Sequence, residues 1–234
     1  MSVEFVRGGS ITEKDLEDIK TSPKFIAWFG RLTENKRVVI ERIVFNHVNR
    51  FGPAVGFVNL TVHYKDELNP KAFPCVVFLS GGSICVLIKL IAKETGEAYL
   101  PLAIQTRLAS TCEDLVEIFA GMNDNNTGSP LNVALHELKE EFTIKDISDG
   151  KADGHELIHL GGFYTSPGRC DEYITAYYLE MIKPLSEIQE LIGAKTGERH
   201  LGEVITVKIV PWNEGHLHTQ DCKYFSSMFL LSKK

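Results

Sequence analysis

Ser129-Pro130-Leu131-Asn132-Val133-Ala134-Leu135-His136-Glu137-Leu138-Lys139-Glu140-Glu141-Phe142-Thr143-Ile144 decides how this 234-residue sequence folds and what chemistry it can carry. Serine at a helix N-cap followed by proline at the first helical position is a start signal: the hydroxyl takes up an orphan amide, and proline has none to leave unpaired. Leu131, Leu135, Leu138 and Phe142 then recur one turn apart, so the segment is expected to be a helix with one buried stripe, running to about Phe142. Glu137, Glu140 and Glu141 fall on a different face, with Glu137 and Glu141 one turn apart. Like charges at that spacing cost about 0.2–0.5 kcal/mol per pair, and in the C-terminal half of a helix the macrodipole also opposes anions. A hard divalent cation such as Mg2+ or Mn2+ reverses the sign of both effects, because clustered carboxylates are its natural ligands. Without a cation, the same pattern is a solvated acidic face.

The chain before this helix changes period. A short acidic helix is expected from about Thr12 to Lys20, and Ser22-Pro23 starts a second one through Phe25, Trp28 and Phe29. From Arg37 to His63 the β-branched runs RVVIERIVF and VGFVNLTVHY read as strands. The polar segment Lys65 to Pro74 is the best candidate boundary, dividing a helix-plus-β region at 1–74 from a second domain at 75–234. That domain opens with the strand candidates CVVFLS and SICVLIKLIA and a turn at 93–96, then AYLPLAIQTRL, which suggests a hairpin. Further strands are expected at GFYTS, EYITAYYLEMI and EVITVKIVPW, with a short helix near Leu185–Leu191 and a last amphipathic one around Thr219–Leu231. Strands and helices interleave without regular βαβ alternation, so the fold class is α/β (α+β) with a mixed sheet.

Composition narrows the function classes. Hydrophobic residues are 44% and charged residues 24%, close to globular averages of ~45–50% and ~25%, which excludes disordered and fibrous chains. The formal net charge is −6 and no dense Lys/Arg cluster occurs, so the electrostatic footprint of a nucleic-acid binder is missing. The longest apolar stretch, Phe73 to Ala92, is broken by Gly81-Gly82 and Lys89, which suits buried strands better than a membrane span. Five scattered cysteines with no C-x-x-C pair argue for reduced thiols inside the cell. The acidic N-terminus, with Glu4, Glu13, Asp15, Glu17 and Asp18, reads as neither a signal nor a transit peptide, so a cytoplasmic location is expected.

The glutamate helix, preceded by Glu117-Ile-Phe-Ala-Gly-Met-Asn-Asp124, resembles the signature of the Nudix hydrolases, G-x5-E-x7-R-E-U-x-E-E-x-G-U with U apolar. The resemblance implies a Nudix α/β/α sandwich with a mixed sheet. It makes Glu137, Glu140 and Glu141 metal ligands, with the Ala120 carbonyl as a backbone ligand. His136 stands where the motif has arginine, Thr143 where it has the helix-ending glycine, and Gly128 where its first glutamate falls; the separation from Gly121 to His136 is one residue longer. An arginine at position 136 would orient a glutamate with a charged fork, which an imidazole cannot form.

A second motif, Ser166-Pro-Gly-Arg-Cys-Asp-Glu172, is by itself a turn before a strand. Beside the Nudix-like helix it is similar to the Ser-Pro-Gly-x-x-Asp-Glu loop of the ADP-sugar diphosphatase branch, with plant enzymes for ADP-ribose and ADP-glucose as the likeness. Gln105-Thr-Arg107 and the tail Lys195-Thr-Gly-Glu198 through Gly202-Glu203 to Lys208 follow in the same order. This branch implies Mg2+-dependent (or Mn2+-dependent) cleavage of a nucleoside diphosphate sugar into AMP and a sugar phosphate. In that reading Glu172 is the catalytic base, Glu140 a catalytic metal ligand, and Arg107 and Arg169 bind the phosphates; a homodimer built on the N-terminal β region is expected. The alternatives are a degenerate Nudix domain that binds ADP-ribose-like nucleotides without hydrolysis, and a hydrolase of other nucleoside diphosphate derivatives. Trp28 and Phe29 read as core or interface, His216 and His218 as surface, and Cys170 as an ordinary thiol beside the expected base.

Overall fold

Thr12 and Ser22 begin the first two helices. A computed structural model describes residues 3–69, 73–123, 129–142, 144–197 and 204–234. The chain divides into two compact units, Met1–Gly82 with Tyr164–Tyr173, and Ser83–Phe163 with Ile174–Lys234. Gly128, Thr143, Glu198 and Glu203 lie outside the described residues.

In the first unit the elements are β1 (Glu4–Arg7), α1 (Glu13–Thr21), α2 (Pro23–Glu34), β2 (Val38–Phe51), β3 (Ala54–Asp66) and β4 (Cys75–Leu79). They form a four-stranded sheet in the order β1-β2-β3-β4, with β1 parallel to β2 and the other pairs antiparallel. Thr12 caps α1 in a reciprocal box: its hydroxyl accepts from the Asp15 amide at 3.1 Å while Asp15 Oδ2 accepts from the Thr12 amide at 3.1 Å. The alternating residues Ile43 and Phe45 of β2 and Val58 and Leu60 of β3 turn inward onto Ile19 and Phe25 of the helices, forming one core. Because β4 pairs with β3, the unit runs past the polar connection at 65–74 as far as Gly82. The loop 164–173 also belongs to this unit: Phe78 NH donates to the Arg169 carbonyl at 2.7 Å.

The second unit contains β5 (Ser83–Ala92), β6 (Ala98–Arg107), β7 (Cys112–Glu117), β8 (Phe119–Met122) and α3 (Pro130–Glu141). It continues with three two-residue strands, β9 (Ile147–Ser148), β10 (Lys151–Ala152) and β11 (His155–Glu156), then β12 (Ile158–Tyr164), β13 (Tyr173–Lys183), α4 (Leu185–Glu190), β14 (Lys195–Thr196), β15 (Ile205–Pro211), α5 (Gly215–His218) and α6 (Cys222–Leu231). Its main sheet follows the order β12-β13-β5-β6-β15-β14, with β7 added to β6 and β8 to β5. β13 runs parallel to β5 whereas β6 and β8 run antiparallel to it, so the sheet is mixed. The expected hairpin is present between β5 and β6, with Leu90 opposite Tyr99.

The apolar run of β5 is buried on both faces, which is why it lacks the polar alternation of a surface strand. Ile84, Val86, Ile88 and Leu90 face Val133, Leu135 and Leu138 of α3. Cys85 and Leu87 face the other way, toward Leu100, Leu102 and Tyr224 of α6. Helices thus cover both faces of the sheet, the α/β/α sandwich that the resemblance implies. No helix among the described residues is long and apolar enough to cross a membrane.

Candidate active site

Helix α3 starts as the sequence predicts, with the Ser129 hydroxyl accepting from the Asn132 amide at 3.3 Å and Pro130 in the first turn. Its buried side is wider than the leucine stripe: Val133, Ala134 and Glu141 are buried along with Leu135 and Leu138, while Leu131 is half-buried. Glu141 lies one turn beyond Leu138 and two beyond Ala134, so it faces the packed side and is only 2% exposed. The expectation of three glutamates sharing one face apart from the core therefore holds for Glu137 and Glu140 and is corrected for Glu141.

Each of the three has its own setting. Glu137 lies against β8: a Cβ placed on Gly121 would stand 1.9 Å from its carboxyl carbon and 1.9 Å from Oε1. The glycine thus leaves a cradle for this carboxylate beside Ala120, whose strand pairs with β5 at Cys85. Glu140 is contacted by His136, with Nδ1 2.9 Å from Oε2 across one turn. The imidazole thus makes one contact with a glutamate where the motif's arginine would supply a fork. The Gly197 amide donates to the Glu140 carbonyl at 3.2 Å, tying the end of α3 to the segment after β14.

These donors are hard oxygens on a helix and a strand that touch, which is the chemistry Mg2+ requires. Among the described residues, no three His, Cys, Asp or Glu side chains already stand together as a ligand group.

Arg107 closes β6, and its Nε donates to Glu117 Oε1 at 2.6 Å. Glu117 is 2% exposed and also accepts from Lys223 Nζ at 2.8 Å. Sequence reasoning missed this lysine; the only signal nearby is Asp221, a good N-cap residue, whose side chain does cap α6 by accepting from the Lys223 amide at 2.9 Å. Burial alone would pull the Lys223 pKa down, but the carboxylates of Asp221 and Glu117 outweigh it and hold it above the usual lysine value.

Glu172 and Arg169 sit in the first unit, on the loop 164–173. The loop is held by its backbone and by Asp171, whose Oδ1 accepts from the amides of Ser80 at 2.8 Å and Gly81 at 3.2 Å. Lys24 Nζ donates to the Ser80 carbonyl at 3.2 Å, so the Ser80-Gly81 turn is gripped from both sides. Thr165 Oγ1 donates to Glu172 Oε2 at 2.9 Å, which fixes the plane of the expected base. Arg169 is exposed and lines a groove of about 460 Å³ with Trp28, Arg31 and Tyr164. Trp28 and Phe29 pack against Phe25, with centroids 5.7 and 5.5 Å apart, as core residues would. His218 Nδ1 lies 3.3 Å from Lys208 Nζ, and among the described residues the pair His216 and His218 joins no metal-binding group.

A mixed sheet sandwiched by helices, with a glutamate-bearing helix against the strand that carries Ala120-Gly121, is the architecture that the resemblance to Nudix hydrolases implies. Two comparisons agree. The chain is similar to Nudix hydrolase 14, chloroplastic, of Arabidopsis thaliana, 28% identical over 229 residues that span 94% of this chain and 73% of that protein. It is also similar in fold to a crystal structure described as an ADP compounds hydrolase, with a TM-score of 0.56 and 15% identity, covering 85% of this chain and 94% of the other. No family model matches the chain. The likeness to Nudix hydrolases read from the two motifs is therefore borne out by a relative along nearly the whole sequence and by a solved fold.

Proposed function

We propose that the chain hydrolyses the pyrophosphate bond of ADP-sugars, ADP-ribose and ADP-glucose among them, to AMP and a sugar phosphate in the presence of Mg2+. The observation that carries this is the glutamate helix, with Glu137 cradled at Gly121 and Glu140 in contact with His136. Support comes from the names of the two similar proteins, a Nudix hydrolase and a hydrolase of ADP compounds. When bound to oxygens of Glu137, Glu140, Glu141 and Ala120, Mg2+ would offset the substrate's negative charge and make a bound water more acidic.

The chain's own residues do the rest. His136 limits the rotamers of Glu140, and Gly121 leaves room for Glu137 beside the strand. Arg107 presents a guanidinium to a phosphate, and Arg169 is a second cation for the same class of ligand. Glu172, its carboxylate steadied by Thr165, takes the proton of the attacking water as a P–O bond of the diphosphate breaks. The His136 contact favours this reading over a binding-only domain, because an orienting partner for Glu140 is retained.

A homodimer through the first unit belongs to the same proposal. The outer face of its sheet carries an aromatic row, Phe51, Phe57 and Phe78, with neighbouring centroids 5.1 and 5.2 Å apart, and exposed Val76. Five free cysteines agree with a reducing, cytoplasmic setting, which imaging of a full-length fluorescent fusion tests.

The decisive assay is phosphate release from ADP-ribose and ADP-glucose, coupled to alkaline phosphatase, with Mg2+ or with chelator. Turnover only with Mg2+, abolished in Glu141→Gln, is expected. A Glu141→Gln protein with the wild-type rate would refute the metal-ligand assignment.

A further inference from the structure

Four charged side chains of the second unit form one relay: Arg107 at the end of β6, Glu117 at the end of β7, and Asp221 and Lys223 at the start of α6. Glu117 divides its carboxylate between two cations, Oε1 to Arg107 Nε at 2.6 Å and Oε2 to Lys223 Nζ at 2.8 Å. Lys223 Nζ also lies 3.0 Å from Asp221 Oδ1. Asp221 Oδ2 accepts from the Ile118 amide at 3.1 Å, so the start of α6 is fixed to the junction of β7 and β8. Glu117 and Asp221 are both buried, and the Lys223 side chain is 14% exposed.

A carboxylate that meets an arginine alone commonly takes two parallel N–H bonds. Here the second oxygen is already engaged by Lys223. Glu117 consequently holds only Nε, and the Nη groups of Arg107 make no hydrogen bond among the described residues, on a side chain that is 42% exposed. The charges also balance: two carboxylates against one ammonium and one guanidinium. Without the ammonium the cluster would carry a net negative charge directly behind Arg107, and Glu117 would be able to close its fork on the guanidinium.

We infer that Lys223 is a positioning residue for Arg107: by holding Glu117 Oε2, it keeps the outer edge of the guanidinium open and positively charged for a phosphate oxygen of the substrate. This rests on the proposed function, since Arg107 needs an anionic ligand to receive. It gives α6, at the far end of the sequence, a part in substrate affinity as well as in packing.

The test is a steady-state comparison of the wild type, Lys223→Met, and Lys223→Met combined with Glu117→Gln, using ADP-ribose and Mg2+, with melting curves alongside. In Lys223→Met, KM should rise about tenfold and kcat fall by less, as expected for losing one charge-assisted hydrogen bond to the ligand. Adding Glu117→Gln, which removes the competing charge, should bring KM back toward the wild-type value. A lysine that only fastens α6 would lower the melting temperature and leave KM in place, or would raise KM in a way that Glu117→Gln does not reverse; either result overturns the inference. If Lys223→Met does not fold, Lys223→Gln with and without Glu117→Gln makes the same comparison. A wild type that neither binds nor cleaves ADP-ribose sinks the proposed function, and this inference with it, whereas active wild type without the cure sinks the inference alone.

Discussion

Gly121 carries no side chain, and the place where one would stand is taken by the carboxylate of Glu137. A methyl group there would overlap the carboxyl carbon, Oε1 and Cγ of that glutamate, the last at 2.5 Å. Its backbone is that of an ordinary strand residue, so alanine introduces no strain in φ. The prediction is a Gly121→Ala protein that loses less than about 1 kcal/mol of stability, because a glutamate side chain can swing aside. Its kcat/KM should fall by about 100-fold, the scale expected when a catalytic group is displaced by about 1 Å. Unfolding curves and initial rates check both halves, and wild-type kcat/KM would show that the Glu137 carboxylate need not lie at β8. The sequence named the residues proposed for the site but not all of their settings. Glu137 and Glu140 could be read from spacing, whereas burial of Glu141 depends on how wide a stripe α3 packs against β5, and the split of Glu117 between Arg107 and Lys223 joins residues 106 positions apart.

Elements with strong local signals were legible because their own chemistry fixes them. The helix starts at Ser22 and Ser129 and the apolar run of β5 all lie where the sequence puts them. The two-residue strands β9 to β11 carry too little periodicity to be seen in advance; their turns need positive φ at Asp149 and Asp153 as well as at Gly150 and Gly154. The start of α1 supports a prediction about acid. The Thr12 hydroxyl and then the Arg50 guanidinium lower the Asp15 pKa to about 2. A folded value below the unfolded one, near ~3.9, makes Asp15 contribute stability above pH ~4 and lose it as the pH falls toward the folded value. Denaturant unfolding of the wild type and Asp15→Asn should therefore differ most near neutral pH and converge in acid. A gap that stays constant down to that range would show that the Asp15 charge is not what holds the cap.

For the whole molecule, two units carry different parts of the proposed chemistry. Arg169 and Glu172 belong to the first, and Arg107 and the three glutamates to the second. Assignment of the loop 164–173 to the first unit was not legible in the sequence, because it rests on pairing of Phe78 with Arg169 and Cys170 and on Asp171 capping the Ser80-Gly81 turn. The same unit exposes Phe51, Val76 and Phe78, so sedimentation should find a dimer that Phe78→Asp weakens; a wild-type monomer at micromolar concentration would contradict the dimer. An overall charge of −6 fits a protein that meets diphosphates through Mg2+ and a few placed arginines, with no broad basic surface.

31P NMR of ADP-ribose incubated with the protein and Mg2+ reads cleavage within the diphosphate directly. The two diphosphate resonances should disappear and be replaced by those of AMP and ribose 5-phosphate, with no change when the metal is chelated. Saturable binding of ADP-ribose with the diphosphate resonances intact in Mg2+ would contradict the proposed cleavage.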